Sequence, residues 1–445
     1  MSKSRSSLLL TRRMISITAA VGFFVLVALV IHQYHDALVF PVRISPEPIE
    51  YAPSNEPPVE QEVAEDWTFD PSRDARNHGL TTQQCLKAFP DFYTEIDRAV
   101  EARKGVPVME EDLILYYGND AVNHTQHRVL IYDGQLRVTG YQNGGTDLSR
   151  SMSILSTIHR ALTALPDPSV VPNVEFVIDV EDFVFEAVPA DRVAFTFHRR
   201  PQDESIWVMP DFNGWSFPDD AVGSYEEFRG NVKSIEVPFS EKVDKVGWRG
   251  SVGVNPELRK ALVDATAEKS WADVKAMTWR DPVNLINMHE FCRYKFVAHT
   301  EGNTWSGRLR YLNNCHSISV IHSLNYIAHY YPMLKSSGPK QNYIDVQRDF
   351  GDLEAEIVYY IEHPEEAQRI ADESARVFRD GVLTPAAESC YWRRMFSRWS
   401  EVQGFKPRLW TDGREGEEGP RRQRGVSWER ESNRIFVNAY QPIFP

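Results

Sequence analysis

Between residues 128 and 139 the apolar positions Val129, Ile131, Leu136 and Val138 fall two apart on either side of Asp133 and Gly134. Period-two spacing interrupted by an Asp-Gly pair predicts a β-hairpin with a tight turn. Over 152–165 the apolar residues return every three or four positions instead, which predicts a helix. Val174, Phe176, Ile178 and Val180 restore the two-residue period in a strand that runs out into Glu181 and Asp182. A second set of elements begins near residue 245. It comprises a strand closing at Gly250, a helix over 256–267, a β-leaning run over 294–300 and a short strand over 318–321. Two amphipathic helices follow at 352–362 and 364–380. The second has Pro364, Glu365 and Glu366 in its first turn and Gly381 after its end, as capping preferences predict. Strands alternating with helices give an α/β chain.

The ends of the chain are patterned differently. Lys3, Arg5, Arg12 and Arg13 precede an uncharged stretch over 14–31, whose eighteen residues would span roughly 27 Å as a helix. This predicts an uncleaved transmembrane signal anchor rather than a signal peptide, with residues 1–13 cytosolic and the rest lumenal. Residues 32–66 carry Pro41, Pro46, Pro48, Pro53, Pro57 and Pro58 among glutamates and read as an extended stem. Globular sequence starts near Trp67, with one domain expected over 67–244 and another over 245–405. A charged tail, expected to be disordered, fills 406–445, although Trp428, Ile435 and Phe436 could dock. The net charge of −14 argues against a nucleic-acid partner, so any anionic ligand needs a local cluster of positive groups. Asn123 and Thr125 form a glycosylation sequon. The four cysteines contain no CxxC pair and in an oxidising compartment predict two disulfides, for which three pairings are open.

One segment carries the most chemistry: Glu301, Gly302, Asn303, Thr304, Trp305, Ser306, Gly307 and Arg308. It lies between the β-leaning run and a potential helix start, a setting in which free N–H groups face an anion. Thr304 and Ser306 add hydroxyl donors, and Arg308 adds a forked cation suited to a diphosphate. The Gly-Lys-Ser/Thr ending of a Walker A loop is missing. A second cluster is acidic: Asp179, Glu181 and Asp182 at a strand end, with alternation placing Asp182 on the opposite face from the other two. One of them could act as a general base, or Asp179 and Glu181 could hold a metal-bound diphosphate. The aromatic, Pro/Gly-broken stretch 206–215 is a candidate sugar-stacking loop through Trp207, Asp211 and Trp215, although such tryptophans also serve as core. The thirteen histidines follow no zinc spacing.

The chain resembles the CAP10-domain glycosyltransferases of family 90, which include protein O-glucosyltransferases and fungal capsule xylosyltransferases. The resemblance rests on Asp182 after its acidic strand end, the Trp248-Arg249-Gly250 turn and the Gly302 to Arg308 loop. Asn342, Tyr343 and Ile344 ahead of Asp352 and Leu353, and the closing run Glu388, Ser389, Cys390, Tyr391 and Trp392, extend it. It covers roughly residues 85–405 and is strongest from 245 onward. It implies a GT-B architecture, two Rossmann-like domains facing a cleft, with a UDP-sugar held mainly on the second. It also implies Asp182 as catalytic base, and Ser251, Arg259, Asn303, Thr304, Trp305, Ser306, Gly307 and Arg308 as donor contacts, with His198 near another. Cys292–Cys315 matches a family disulfide, and a looser match pairs Cys85 with Cys390. His198 stands where glucosyltransferase members have serine, and the segment between Ser251 and Arg259 is longer than theirs, so xylose and glucose both stay open as the donor sugar. The implied protein is an inverting glycosyltransferase acting on a glycan or glycoprotein hydroxyl. It would need no obligatory metal and would sit as a type II protein of the Golgi or endoplasmic reticulum membrane. Two other readings are a metal-dependent GT-A-type enzyme using Asp179 and Glu181, and a lumenal sugar-binding protein without catalysis. The intact Asp182 and Arg308 speak against the latter.

Overall fold

The hairpin forms where the pattern places it. Strands Gln126–Tyr132 and Gln135–Gln142 pair antiparallel, with Tyr132 opposite Gln135. Asp133 and Gly134 both take positive φ (50° and 68°), the backbone twist a two-residue hairpin turn requires. The computed structural model describes residues 64–115, 125–142, 148–182, 193–278, 282–411 and 422–433. The expected anchor over 14–31, the stem up to residue 63 and the Asn123 sequon lie outside them. Among the described residues no helix is long and apolar enough to cross a membrane.

The hairpin belongs to a six-stranded mixed sheet. Its order is Val426–Ser427, Gln135–Gln142, Gln126–Tyr132, Val174–Asp179, Phe195–Thr196, Trp207–Val208. Helix Leu148–Thr163 buries Ile154, Leu155, Ile158, Ala161 and Leu162, the stripe its spacing predicts. The second sheet is parallel throughout, in the order Ala272–Ala276, Val243–Gly250, Tyr294–His299, Ile318–His322, Ile344–Val346. Its apolar residues Val246, Trp248, Phe296, Ile318, Val320 and Ile344 form one core with Leu258, Leu262, Leu353, Ile357 and Ile370 from the flanking helices. Parallel strands send all their C-terminal ends to one edge, here Ala276, Gly250, His299, His322 and Val346.

The last long helix, Pro385–Val402, packs against the first sheet, although it follows the second in sequence. The Trp392 indole donates to Thr157 Oγ1 (3.1 Å), the Trp399 indole to the Glu175 carbonyl (3.0 Å), and the Tyr391 hydroxyl to the Val208 carbonyl (2.9 Å). A disulfide joins Cys85 to Cys390 on the same helix, and Cys292 pairs with Cys315.

Three expectations change in detail. The strand ending in the acidic cluster stops at Asp179, so Glu181 and Asp182 lie beyond it and strict alternation does not set their directions. The 364–380 helix is α-helical over Pro364–Ser374 and then widens into a π-helical segment, Ala375–Val382. Gly381 lies inside that segment, because Thr384 already caps the next helix and leaves no room for a separate glycine cap. Part of the tail is ordered. Val426 pairs with Val138, Trp428 is buried in the first core, and Arg424 contacts the fully buried Glu175 carboxylate at 2.7 and 2.9 Å.

The Cys85–Cys390 bridge closes most of the globular chain. Replacing both cysteines with serine is expected to lower the unfolding free energy by about 2–4 kcal/mol, read as a lower urea midpoint.

Candidate functional site

At the C-terminal edge of the parallel sheet, the central strand Tyr294–His299 leads through a loop into the helix Arg308–Leu312. Open α/β sheets bind ligands along this edge. The Gly302 N–H donates to the Trp305 carbonyl (3.2 Å), and Asn255 Nδ2 donates to the Gly302 carbonyl (3.0 Å), so the loop is closed on itself and tied to the segment before helix Pro256–Ala265. Gly307 is required by packing, since a Cβ there would collide with Asn213 Nδ2. The helix is only five residues long. Its dipole is correspondingly small, and the attraction for an anion falls to side chains.

Those side chains are two arginines without a counter-charge. Arg308 Nε and Nη1 are sealed from solvent and have no hydrogen-bond partner, and the guanidinium lies 5.7 Å from the Trp248 ring centroid. Arg259 is buried, with Nε donating to the Glu301 carbonyl (3.1 Å) and Nη1 to the Ser251 carbonyl (2.9 Å). Neither arginine meets a carboxylate among the described residues. Burial, then the charge of Arg259, pushes Arg308 down to about 9, and burial pushes Arg259 down to about 10. Both remain protonated at neutral pH, at a cost in desolvation. Thr304 Oγ1 and both ring nitrogens of His299 are likewise buried without partners beside them. Burial, His322 and the two arginines hold His299 well below the usual histidine range. An anion fits this arrangement.

The other expected donor contacts divide by position. Asn303 is exposed at the loop tip, while Ser306 and Gly307 are half-buried. Ser251 presents its carbonyl to Arg259, and its Oγ accepts from the Gly253 N–H (3.3 Å). Trp305 is buried and stacks on His198 with ring centroids 5.9 Å apart. His198 in turn donates from Nε2 to the Asp182 carbonyl (3.1 Å), and burial pushes its ring down to about 3, so it is neutral. The expected base and the expected donor loop are therefore bridged by one imidazole.

The Asp182 carboxylate is about one-third exposed, and its Oδ1 accepts from Arg150 Nη1 (2.9 Å). Asp179 differs. It is fully buried, accepting from Gln126 Nε2 (2.7 Å) and the Glu181 N–H (3.0 Å).

The aromatic stretch 206–215 corrects the sequence reading in two of its three residues. Trp207 is fully buried against Phe195 and Trp399. Asp211 is fully buried, caps the Asn213 N–H (3.0 Å) and pairs with Arg310 (3.4 Å). Asp211 is held in the interior by Arg310, which is itself buried, binds Glu388 of the last helix and lies over the Tyr225 ring at 4.6 Å. Trp215 alone faces solvent, at 39% exposure, with Arg160 over its ring.

Sequence reasoning missed Arg150, Arg310, Asn213 and Arg348, the last of which partners Glu301. The Glu301 carboxylate accepts from the Asn325 and Tyr326 N–H groups (2.8 and 3.0 Å) and from Arg348 (2.8 Å), fixing the base of the loop. All four act through contacts remote in sequence, which no local spacing signals.

The sequence profile described as Glycosyl transferase family 90 matches residues 83–423. Human Protein O-glucosyltransferase 1 is 24% identical over 278 residues, covering 58% of this chain and 68% of that protein. Zebrafish (Danio rerio) Protein O-glucosyltransferase 2 is 25% identical over 263 residues, 56% of this chain and 51% of that one. Mouse Protein O-glucosyltransferase 3 is 31% identical over 131 residues, 29% of this chain and 25% of that one. The matched region thus spans about two-thirds of the first relative, half of the second and a quarter of the third.

A guanidinium with two sealed, unpartnered nitrogens lowers the stability of the empty protein. Arg308→Met is expected to raise unfolding free energy by about 1–2 kcal/mol in the absence of ligand while abolishing thermal stabilisation by added pyrophosphate. Differential scanning fluorimetry with and without pyrophosphate reads both effects.

Proposed function

The chain belongs to glycosyl transferase family 90, and from that premise we propose that it transfers a sugar, xylose or glucose, from a UDP-sugar to a hydroxyl of a glycoprotein or glycan with inversion at the anomeric carbon. The relatives named as protein O-glucosyltransferases support a protein hydroxyl as acceptor and glucose as one donor sugar. On this reading the parallel sheet and the mixed sheet are the two halves of a GT-B enzyme, divided near residue 245.

The observation that carries the proposal is Arg308, with Nε and Nη1 dry and unpartnered beside a second unneutralised arginine. Two positive charges match the two negative charges of a nucleotide-sugar diphosphate. As the bond from the anomeric carbon to the diphosphate oxygen breaks, charge grows on UDP, and Arg308 and Arg259 stabilise it most in the transition state. Asp182 takes the acceptor proton as the acceptor oxygen attacks from the opposite face. With the arginines supplying positive charge, this scheme requires no obligatory metal ion. Asp179, closed in by Gln126 and the Glu181 N–H, is less suited than Asp182 to receive a proton or a cation.

Two disulfides support an oxidising compartment. Together with the apolar stretch 14–31, they favour a type II protein of the Golgi or endoplasmic reticulum membrane with its catalytic body in the lumen.

The test is UDP release from UDP-glucose and UDP-xylose with a glycoprotein acceptor. Asp182→Asn is expected to bind UDP normally but lose at least about a hundredfold in rate, the usual worth of a positioned base. Glu181→Gln should cost far less. Normal turnover in Asp182→Asn would remove it as the base.

A further inference from the structure

The carboxylate read above as the base is held by a residue that the reaction scheme has not used. Arg150, on the helix Leu148–Thr163, donates from Nη1 to Asp182 Oδ1 at 2.9 Å and to the Val180 carbonyl at 3.0 Å. Its guanidinium lies 4.9 Å from the centroid of the Phe212 ring. Phe212 opens the short turn Phe212–Gly214, whose Asn213 lies against Gly307 of the donor loop and accepts from the Tyr311 hydroxyl at 3.2 Å. One guanidinium therefore touches the carboxylate, the backbone leading to it and the turn that contacts the donor loop. Asp182 lies beyond the end of its strand, where no sheet hydrogen bond fixes it. Its Oδ2 accepts no hydrogen bond among the described residues.

We infer that Arg150 is a positioning residue: it pins Oδ1 so that Oδ2 of Asp182 faces the acceptor hydroxyl. The inference rests on the reading of Asp182 as the base. In the step it serves, the acceptor O–H proton passes to Oδ2 and the acceptor oxygen bonds to the anomeric carbon. The bond from that carbon to the diphosphate oxygen breaks, and its electron pair leaves with UDP. Without Arg150 the carboxylate gains rotamers, and few of them point an oxygen at the acceptor. A misplacement of about 1 Å at a reacting group costs up to about a hundredfold in rate. The pair is partly open to solvent, with side chains 20% and 32% exposed, so it contributes little to folding and its effect falls on turnover.

The experiment is a double-mutant cycle on the full chain, read by UDP release with the same glycoprotein acceptor and with whichever of UDP-glucose and UDP-xylose the wild-type protein turns over. Arg150→Met is expected to lower kcat on the order of 10- to 100-fold with the Kd for UDP unchanged, and Arg150→Lys to recover part of the loss. Added to Asp182→Asn, Arg150→Met should cost nothing more, because the group it positions has gone. An equal loss in both backgrounds, or a UDP affinity that falls in step with the rate, overturns the inference. Thermal melting checks that each variant is folded. Should Arg150→Met unfold, the cycle is run with Arg150→Gln, and an undiminished rate there overturns the inference. Failure of the underlying reading shows separately, as normal turnover in Asp182→Asn alone, and the inference then falls with it.

Discussion

Two arginines held close together, with no counter-ion among the described residues, are the constraint around which this protein is built. Arg259 and Arg308 would repel and drift into solvent if their backbones were free. Arg259 is anchored by the Glu301 and Ser251 carbonyls, and Arg308 by the Trp248 ring and by the tight packing of Gly307 on Asn213. The rigidity comes from the parallel sheet beneath, whose buried strands end at Gly250 and His299 and fix where both loops begin. Charge concentrated in this way destabilises the empty fold, and on the proposed reading a bound diphosphate would relieve it.

A second ionic group does the opposite work. Arg310 leaves the same short helix as Arg308 but points inward, where Asp211 and Glu388 neutralise it and Tyr225 covers it. Burial lowers and the two carboxylates raise its proton affinity, which ends well above the ordinary arginine value. It fastens the donor-side helix to the 211–214 turn and to the helix Pro385–Val402. Through Cys390 and Trp392 that helix is fixed to the first sheet. The Asp182 segment and the Gly302–Arg308 loop are thereby held in one register, with His198 between Asp182 and Trp305 linking them.

Much of the fold was legible because it depends on local patterning. The Asp133-Gly134 turn, the 148–163 helix stripe and the strand, loop and helix around Gly302 follow from spacing and backbone preference alone. What escaped was set by long-range charge. Nothing near Asp211 in sequence says that Arg310 will pair with it, nor near Trp207 that Phe195 and Trp399 will enclose it, so two residues of a segment suited to sugar stacking belong to the interior. Arg150 occupies an unremarkable polar position on an amphipathic helix. Trp428 signals docking of the tail through its own hydrophobicity, whereas the two-residue strand Val426–Ser427 beside it lies in a charged run and is held by pairing with Val138 and by Arg424 on the buried Glu175. Arg308 itself was visible from its glycine-flanked loop, but its lack of a partner, the observation that gives it meaning, belongs to tertiary structure.

An experimental structure of the protein with UDP bound tests the central claim most directly. The account predicts diphosphate oxygens within about 2.7–3.2 Å of Arg308 and Arg259 nitrogens, with Arg308 Nε and Nη1 no longer unpartnered. A diphosphate seated elsewhere, with those two atoms still dry and unpaired, would contradict it.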